Sequence, residues 1–303
     1  MDAIVTDRLT RSYGPVNALK DVTFTVHRGE LYGIIGADGA GKTTLFRILA
    51  TLILPDGGQA WVDGYDVKGQ YKEIRRRLGY MPGRFSLYQD LSVEENLSFY
   101  ASVFGTTIKE NYALVAPIYS QIEPFARRKA GNLSGGMKQK LALCCALIHK
   151  PSVLLLDEPT TGVDPVSRQE FWDMLDTLRG YGITILVSTP YMDEANRCDR
   201  IALMREGEFM QVDTPQHIIA SYNDMLWAAE SEEMYRLLGD IRNFEGVKRC
   251  YTFGVEHHFT ADADVAERLR AYLATCGHRN LVIRRVAATI EDCYMQLEDK
   301  YHG

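Results

Sequence analysis

The segment of residues 36–44, with the sequence GADGAGKTT, restricts the fold and chemistry of this chain more than any other. It fits the pattern G-x-x-x-x-G-K-[ST]. A short apolar run at residues 31–35 has the character of a buried strand, and residues 45–49 that follow the segment have helical spacing. The order strand, glycine loop, helix predicts a phosphate-binding loop. A glycine-rich turn that binds no ligand is the alternative.

The residue types in this loop suit a nucleotide. Glycines let backbone N–H groups approach phosphate oxygens, and the helix N-terminus adds a partial positive charge. Lys42 is expected to reach the β- and γ-phosphates, and the Thr43 hydroxyl is expected to bind Mg²⁺. The predicted nucleotide-binding residues of the loop are Gly36, Ala37, Asp38, Gly39, Ala40, Gly41, Lys42, Thr43 and Thr44.

Composition narrows the function classes. The chain has 303 residues, enough for one large α/β domain and a small one, and its formal net charge of −6 argues against a general nucleic-acid binder. The six cysteines lack a CxxC pair, which predicts reduced thiols in a cytoplasmic protein. No window approaches the length of a spanning apolar helix. We therefore expect any membrane role to require a partner.

Two acidic residues follow a second apolar run. Residues 153–156 read VLLL and lead into Asp157 and Glu158, as expected for a parallel strand that delivers carboxylates to the carboxyl edge of a sheet. One carboxylate can hold Mg²⁺ and the other can orient or deprotonate an attacking water. A surface acidic pair at a strand end is the alternative.

Two further features have weaker signals. The sequence LSGGM at residues 133–137 opens a predicted apolar helix, and its two glycines would leave N–H groups free for an anion. Glycine used only for close packing is the alternative. Tyr13 precedes the phosphate loop and can stack on a base, although packing against a strand explains it about as well.

The pattern of elements predicts an α/β fold. Strands alternate with helices over residues 1–222, with antiparallel strands before the phosphate loop, a strand over 74–81 and an inserted helical subdomain at about 84–150. Residues 223–303 show the order βαββαβ and a trailing helix, which predicts a small ferredoxin-like domain. His257 and His258 are adjacent on one of its predicted strands, so they point to opposite faces and a metal site there is not expected.

The motifs GADGAGKT, LSGGM, LLLDEP and TGVD, in this order, resemble those of the ATP-binding cassette of ABC transporters. The resemblance covers residues 1–222 and is greatest to the ATPases of ABC-2-type exporters, including bacterial multidrug-export ATPases. Residues 288–294 are similar to a segment that often closes such subunits. The resemblance implies a P-loop ATPase core with a parallel sheet, added antiparallel strands and a helical subdomain.

Several roles follow only from this resemblance. Two cassettes are expected to pair head to tail, as a homodimer or a heterodimer, with ATP and Mg²⁺ between them. A separate ABC-2-type transmembrane permease subunit is expected to dock near residues 84–104, which would place the chain on the cytoplasmic face of the cell membrane. The implied roles are base stacking for Tyr13, Mg²⁺ binding for Asp157, catalysis for Glu158, communication across the dimer for Asp164, and contact with the partner's ATP for Ser134, Gly135, Gly136 and Met137.

Three positions depart from the family pattern. Met137 replaces the usual glutamine of the signature, Gly83 replaces a loop glutamine, and Pro190 replaces a switch histidine. The last two lack the amide and imidazole that would position water or phosphate, so we expect slow or partner-dependent hydrolysis with ATP binding retained. Such a chain would be either the weak half of an asymmetric dimer or a slow homodimer that relies on Glu158.

Two other functions fit parts of the pattern. One is a soluble cassette ATPase that acts on the ribosome or another machine, although such proteins usually carry two cassettes or a basic linker. The other is a nucleotide sensor without useful turnover, which the presence of Glu158 makes less attractive.

Overall fold

Strand β3 (Leu31–Ile35), just ahead of the phosphate loop, is buried along its whole length within a six-stranded sheet. The computed structural model describes residues 2–302, with side chains to residue 300. It divides into two compact units between Pro215 and Gln216, seven residues before the division expected from the sequence.

The six-stranded sheet brings the carboxyl ends of five parallel strands to one edge. The spatial order is β10-β9-β3-β8-β7-β6. The strands from β9 to β6 in this order are all parallel to one another, and β10 pairs antiparallel with β9 at the edge. The phosphate loop and the Asp157–Glu158 pair therefore meet at the same edge. The bounds are β6 (Leu78–Met81), β7 (Val153–Asp157), β8 (Thr184–Thr189), β9 (Arg200–Arg205) and β10 (Glu208–Asp213).

A separate antiparallel sheet packs on the first helix. Helix α1 (Lys42–Leu49) shares one hydrophobic core with residues of this sheet, such as Ile4 and Val26, and with Leu155 of β7. Burial of α1 from both sides fixes the direction in which its N-terminus points. The strands, in spatial order β2-β1-β4-β5, are β1 (Asp2–Tyr13), β2 (Val16–His27), β4 (Gly57–Val62) and β5 (Tyr65–Asp66).

The predicted helical subdomain consists of three helices with well-defined starts. Ser92 and Glu95 form a capping box at α3 (Val93–Val103), as the sequence indicated, and Thr107 and Glu110 form a second one at α4 (Ile108–Tyr119). Helix α5 (Gly135–Leu147) begins at the N-cap Ser134 and is almost wholly buried after its first two turns. The remaining helices of this unit are α2 (Tyr71–Arg77) and α6 (Pro165–Arg179), and α7 (Pro215–Ala220) begins at its last residue and continues into the second unit.

One segment was predicted wrongly. The strand expected over residues 74–81 is shorter, because residues 74–77 belong to α2. Ile74 is the only buried residue of that helix, and the sequence KEIRRR around it offers no apolar periodicity that separates a helix from a strand.

The second unit has the predicted ferredoxin-like order. Its four strands are all antiparallel, in the spatial order β12-β13-β11-β14, and helices α8 and α9 contribute to its core through Leu237, Ile241 and Leu269. The trailing helix follows β14. The elements are β11 (Leu226–Glu230), α8 (Met234–Arg242), β12 (Arg249–Phe253), β13 (Glu256–Thr260), α9 (Ala263–Thr275), β14 (Val282–Arg285) and α10 (Ile290–His302).

The described residues, 2–302, contain neither a membrane-spanning helix nor a cluster of metal-ligand side chains. None of the helices between residues 2 and 302 combines the length and the apolar character that a bilayer crossing requires. Within the same range, no three His, Cys, Asp or Glu side chains cluster as metal ligands would. His257 and His258 are both buried, and each bonds to a protein group: His257 Nε2 to the Met234 carbonyl at 2.7 Å, and His258 Nδ1 to Asp292 at 2.7 Å.

Candidate nucleotide-binding site

Lys42 lies at the first position of α1, beneath the glycine loop. Its ammonium group donates hydrogen bonds to the carbonyl oxygens of Gly36 at 2.7 Å and Ala37 at 3.0 Å, and it lies 3.0 Å from Glu158 Oε1. The side chain is only 3% exposed. The loop is therefore curled around a buried cation, which is what attraction of phosphate oxygens requires.

The shape of the loop depends on glycine at two positions. Gly41 has a φ of 106°, and a Cβ there would lie 2.3 Å from the carbonyl oxygen of Ala18 on β2. A Cβ at Gly36 would lie 2.2 Å from the carbonyl oxygen of Met204 on β9. Neither position can carry a side chain without movement of the backbone, so two different sheets fix the path of the loop.

Asp157 accepts two hydrogen bonds at the end of β7. Thr43 Oγ1 donates to Asp157 Oδ1 at 3.2 Å, and Ser188 Oγ donates to the same oxygen at 2.8 Å. Burial raises the pKa of the Asp157 carboxyl, although the hydrogen bonds from Ser188 and Thr43 act in the opposite direction. A hydroxyl and a carboxylate in contact form an oxygen-only donor set, which fits a hard cation such as Mg²⁺.

Glu158 has an unusual backbone conformation. Its φ of 50° lies in the left-handed region, which costs a non-glycine residue about 1–2 kcal/mol. Its N–H donates to both the carbonyl and the hydroxyl oxygen of Ser188, at 3.1 and 2.9 Å, and these two bonds hold the strained residue in place. The side chain is turned toward Lys42.

A cavity of about 530 Å³ joins most of the predicted nucleotide-binding residues. This volume lies within the usual range for small-molecule sites. Tyr13 is 43% exposed at this cavity, and the Arg11 guanidinium lies 5.0 Å from the centre of its ring. The lining includes Tyr13, Pro15, Val16, Asn17, Ala18, Lys20, Gly39, Gly41, Lys42, Thr43, Thr44, Glu158 and Glu206.

The signature, residues 133–137, lies outside this cavity. Its two glycines, Gly135 and Gly136, differ in how closely other atoms pack on them. Ser134 and Gly135 are exposed, and the nearest atom to a Cβ placed on Gly135 is 3.7 Å away. Gly136 is buried, and a Cβ there would lie 2.7 Å from Ser167 Oγ and 2.9 Å from Ser167 Cβ. Close packing therefore explains Gly136 by itself, whereas packing places no such demand on Gly135.

Asp164 caps the N-terminus of α6 beside the signature. Its side chain accepts a hydrogen bond from the Ser167 N–H at 3.0 Å, and this bond holds the pKa of its carboxyl below the usual value. Asp164 and Gly136 thus both contact Ser167 within one chain.

The two departures from the family pattern flank the carboxylate pair. A Cβ on Gly83 would lie 3.0 Å from the Asp157 carbonyl oxygen, so this loop packs closely on β7. Pro190 directly follows Thr189, the last residue of β8. Neither residue offers a side-chain polar group at the site.

Sequence reasoning missed several polar residues that hold the site together. Ser188 bonds to both members of the carboxylate pair, and a buried carboxylate at Glu194 binds Thr160, Thr189 and Arg168. A signal was present, since Ser188 and Thr189 follow a buried apolar strand just as Asp157 and Glu158 do. Nothing in the sequence shows which distant residue Glu194 contacts.

Comparisons with known proteins decide the family. The "ABC transporter" family profile matches residues 19–161. Nod factor export ATP-binding protein I of Burkholderia lata is 40% identical over 214 residues, which are 70% of this chain and 70% of that protein. This chain belongs to the ABC transporter ATPase family. The probable multidrug ABC transporter ATP-binding protein YbhF of Escherichia coli is 48% identical over 202 residues, 66% of this ABC ATPase but only 35% of YbhF, so the match spans about a third of that protein.

Solved structures agree on the fold of the ABC cassette. One ATP-binding subunit of an ABC transporter has a TM-score of 0.65 at 29% identity, over 72% of this chain and 92% of that one. The dimeric cassette MJ0796 has a TM-score of 0.63 at 26% identity, over 70% and 98%. Neither the family profile nor these relatives support the alternative of an ABC ATPase that acts on the ribosome.

Proposed function

We propose that this chain is the ATP-binding subunit of an ABC exporter and that it binds MgATP in the 530 Å³ cavity. The observation that carries the proposal is the convergence of Lys42, Thr43 and Asp157 on one buried cluster at the N-terminus of α1. The names of two relatives, a multidrug ABC transporter ATP-binding protein and a Nod factor export protein, support export as the direction.

The geometry supports a role for each end of the cavity. Tyr13 would stack on the base, with its other face covered by Arg11. Lys42 and the loop N–H groups would bind the β- and γ-phosphates. Thr43 and Asp157 would hold Mg²⁺, which neutralises phosphate charge when bound. Glu158 would accept a proton from the attacking water, once a phosphate has drawn Lys42 away from it.

The second half of the active site would come from another cassette. Ser134 and Gly135 are exposed at the start of α5 and are free to contact a partner's γ-phosphate, as the family resemblance implies for Ser134, Gly135, Gly136 and Met137. Asp164, at the start of the neighbouring helix α6, would communicate across the dimer between the two ATP sites. The dimeric form of MJ0796 supports this arrangement by analogy.

The site should hydrolyse ATP slowly on its own. Gly83 packs so closely on Asp157 that the loop has no room for a side chain without a shift of a few tenths of an ångström, and Pro190 has neither an N–H nor an imidazole. Catalysis would therefore rely on Glu158. Two assemblies are consistent with slow hydrolysis. One is a slow homodimer, and the other is an asymmetric dimer in which Ser134 and Gly135 of this chain contact the ATP of a partner that hydrolyses it.

A membrane subunit of the ABC-2 type would dock on the helical subdomain side. A largely apolar groove of about 420 Å³ runs between the end of α1, the loop after β6 and helices α3 and α5. Its lining includes the exposed side chains Leu52, Val103 and Phe104. A short amphipathic helix of the permease would cover these residues, which would place the chain at the cytoplasmic surface of the membrane.

Calorimetric titration with MgATP tests nucleotide binding. We expect Lys42→Ala to weaken binding by at least about tenfold, since it removes a charged hydrogen-bond donor from the phosphates. Lys20→Ala is a matched control, because Lys20 lines the same cavity but pairs with Glu208 at 3.5 Å instead of the loop. Equal affinities of the wild type and Lys42→Ala would refute the proposal.

A second experiment tests the origin of slow hydrolysis. The double variant Gly83→Gln, Pro190→His restores both missing groups, and we expect it to raise the ATPase rate by about 10²-fold or more. Because a Cβ at position 83 meets the Asp157 carbonyl, Gly83→Ala must be measured beside it to separate crowding from chemistry. An unchanged rate, with Gly83→Ala also neutral, would show that these positions do not limit turnover.

A further inference from the structure

Glu194 is a buried carboxylate that contacts three separate segments. It lies on the 3-10 helix Met192–Arg197 and is 4% exposed. Its Oε2 accepts hydrogen bonds from Thr189 Oγ1 at 2.5 Å and Thr160 Oγ1 at 3.2 Å, and its Oε1 accepts one from Arg168 Nε at 3.1 Å. A carboxylate at this depth is stable only when charge and hydrogen bonds compensate it, and all three contacts do so.

Each contact leads to a different part of the nucleotide site. Thr160 is two residues beyond Glu158 in the loop after β7 and is itself buried. Thr189 separates Ser188, which holds the Glu158 N–H, from Pro190. Arg168 lies one turn into α6, and its N–H bonds to the carbonyl of Asp164, the N-cap of that helix.

A second hydrogen bond fixes the direction in which the Thr189 hydroxyl donates. Thr189 Oγ1 already accepts a hydrogen bond from the Tyr191 N–H at 3.0 Å, which directs its own proton to Glu194. Arg168 is also held on a second side, because its guanidinium lies 4.0 Å from the centre of the Tyr191 ring. The turn at Pro190 is therefore tied to Glu194 from both of its flanking residues.

We propose that Glu194 is a positioning residue that holds the Glu158 loop, the Pro190 turn and the start of α6 in a single arrangement. Pro190 has no polar side chain that could contact a nucleotide, so the position of its turn depends on bonds within the chain. The effect of Glu194 on turnover rests on the proposed function of Glu158. Its effect on loop order does not.

Hydrogen exchange of backbone amides, measured on the full chain, tests this role. Glu194→Gln removes the negative charge that pairs with Arg168, and its amide NH₂ faces either the Arg168 donor or the two threonine hydroxyls, whose protons then lose their acceptor on residue 194. We expect exchange in residues 160–164 and 188–191 to rise by about tenfold or more, together with that of the Gly36 N–H, which bonds to the Thr189 carbonyl at 3.3 Å, and residues 37–44 to stay unchanged. The matched control is Asp193→Asn, because the neighbouring Asp193 pairs with the same arginine but is 76% exposed and bonds to neither threonine.

A second pair of variants separates positioning from general destabilisation. Thr160→Val removes only the link to the Glu158 loop, and Thr160→Ser keeps the hydroxyl. We expect Thr160→Val to reproduce the exchange increase in residues 160–164, Thr160→Ser to restore wild-type exchange, and Glu194→Gln to add little on top of Thr160→Val. This pair also tests the proposal if Glu194→Gln fails to fold.

Turnover provides an independent readout. For MgATP hydrolysis we expect Glu194→Gln to lower kcat about tenfold or more with KM within about twofold of the wild type, because the phosphate loop does not contact Glu194. Wild-type exchange in residues 160–164 of both Glu194→Gln and Thr160→Val would overturn the positioning role. Absence of Glu158-dependent hydrolysis in the wild type would instead refute the catalytic role proposed for Glu158 and leave the exchange result to decide the role of Glu194.

Discussion

Lys42 Nζ lies 3.0 Å from Glu158 Oε1, so the cation of the phosphate loop is paired with the carboxylate that follows β7. The pair is well shielded, since the two side chains are only 3% and 21% exposed. A γ-phosphate at Lys42 would repel Glu158 and compete with it for the ammonium group. Glu158 would therefore oppose nucleotide binding, although it is the residue proposed to assist hydrolysis.

The first prediction concerns this competition. Glu158→Gln removes one negative charge beside the phosphates, and we expect MgATP to bind about 3- to 30-fold more tightly while hydrolysis falls. Calorimetric titration measures the affinity. Glu206→Gln is the matched control, because Glu206 lines the same cavity but pairs with Arg205. Weaker binding by Glu158→Gln than by the wild type would contradict the competition.

The second prediction concerns Ser188. Its hydroxyl donates to Asp157 and accepts from the Glu158 N–H, so Ser188→Ala leaves two groups of the site without this partner. We expect the free energy of unfolding to fall by about 1–3 kcal/mol, and the gain in ATP affinity on addition of Mg²⁺ to shrink. Urea denaturation and titrations with and without Mg²⁺ measure the two effects. Ser188→Thr retains the hydroxyl and should preserve most of the Mg²⁺ effect; equal losses in both variants would count against the hydrogen bonds.

The third prediction separates the two glycines of the signature. Gly136→Ala places a methyl group 2.9 Å from Ser167 Cβ, and we expect it to cost about 1–3 kcal/mol of stability through overpacking. A Cβ on Gly135 would lie 3.7 Å from the Gly162 carbonyl oxygen, an ordinary van der Waals contact, so we expect Gly135→Ala to be neutral or stabilising by up to about 1 kcal/mol. Thermal or urea unfolding measures both. Ser167→Gly should relieve the cost of Gly136→Ala, and similar stabilities of the two alanine variants would rule out the packing difference.

The fourth prediction concerns pH and the trailing helix of the second unit. His258 bonds through Nδ1 to Asp292 of α10 at 2.7 Å and through Nε2 to Glu256 at 3.2 Å, so both ring nitrogens face carboxylates. Burial lowers the pKa of His258, but these two carboxylates outweigh it and raise the pKa above its ordinary value. Burial raises the pKa of Asp292, but the hydrogen bonds from His258 and Thr289 outweigh it, so the pKa of this carboxyl lies below its ordinary value.

The signs of these two shifts define a window of pH. A raised histidine pKa stabilises the fold fully below about 6.5 and its contribution is lost as the pH rises through the folded-state pKa. A lowered aspartate pKa stabilises the fold above about 3.9 and its contribution is lost as the pH falls. We therefore expect α10 to be more protected at pH 5.5 than at pH 8.5, as measured by hydrogen exchange of residues 290–300 corrected for intrinsic rates.

Two histidine variants control this measurement. His258→Gln should remove most of the pH dependence, because glutamine cannot be charged. His278→Gln should leave it intact, because His278 bonds to Asp240 of α8 instead of a residue of α10. Equal protection of α10 in the wild type at both pH values would contradict the role of His258.

Much of the fold could be predicted because its signals are local. The capping box Ser92–Glu95 marks the start of α3, and runs such as residues 153–156 are too apolar to lie anywhere but in a buried strand. The one clear error, the strand expected over residues 74–77, fell where a single buried isoleucine stands among charged residues. There, packing against the rest of the unit decides the structure, and a local pattern cannot represent it.

The site was less predictable because its contacts are distant in sequence. The loop around Lys42 can be recognised from the sequence, because a phosphate-binding loop needs glycine, lysine and threonine at fixed spacing. The partners of Glu194 could not be found in this way. Thr160, Arg168 and Thr189 approach it only because parallel strands β7 and β8 end at the same edge of the sheet.

The carbonyl oxygen of Ala18 occupies the space that a methyl group on Gly41 would need, and it belongs to a strand of the antiparallel sheet. Packing against a neighbouring sheet therefore fixes the curvature of the phosphate loop before any ligand binds. Triphosphate binding should accordingly sacrifice little backbone entropy at this end of the cavity. An inserted or deleted residue in the short turn after Tyr13 would displace Ala18 and weaken the affinity for nucleotide, although none of the residues proposed to contact phosphate would be changed.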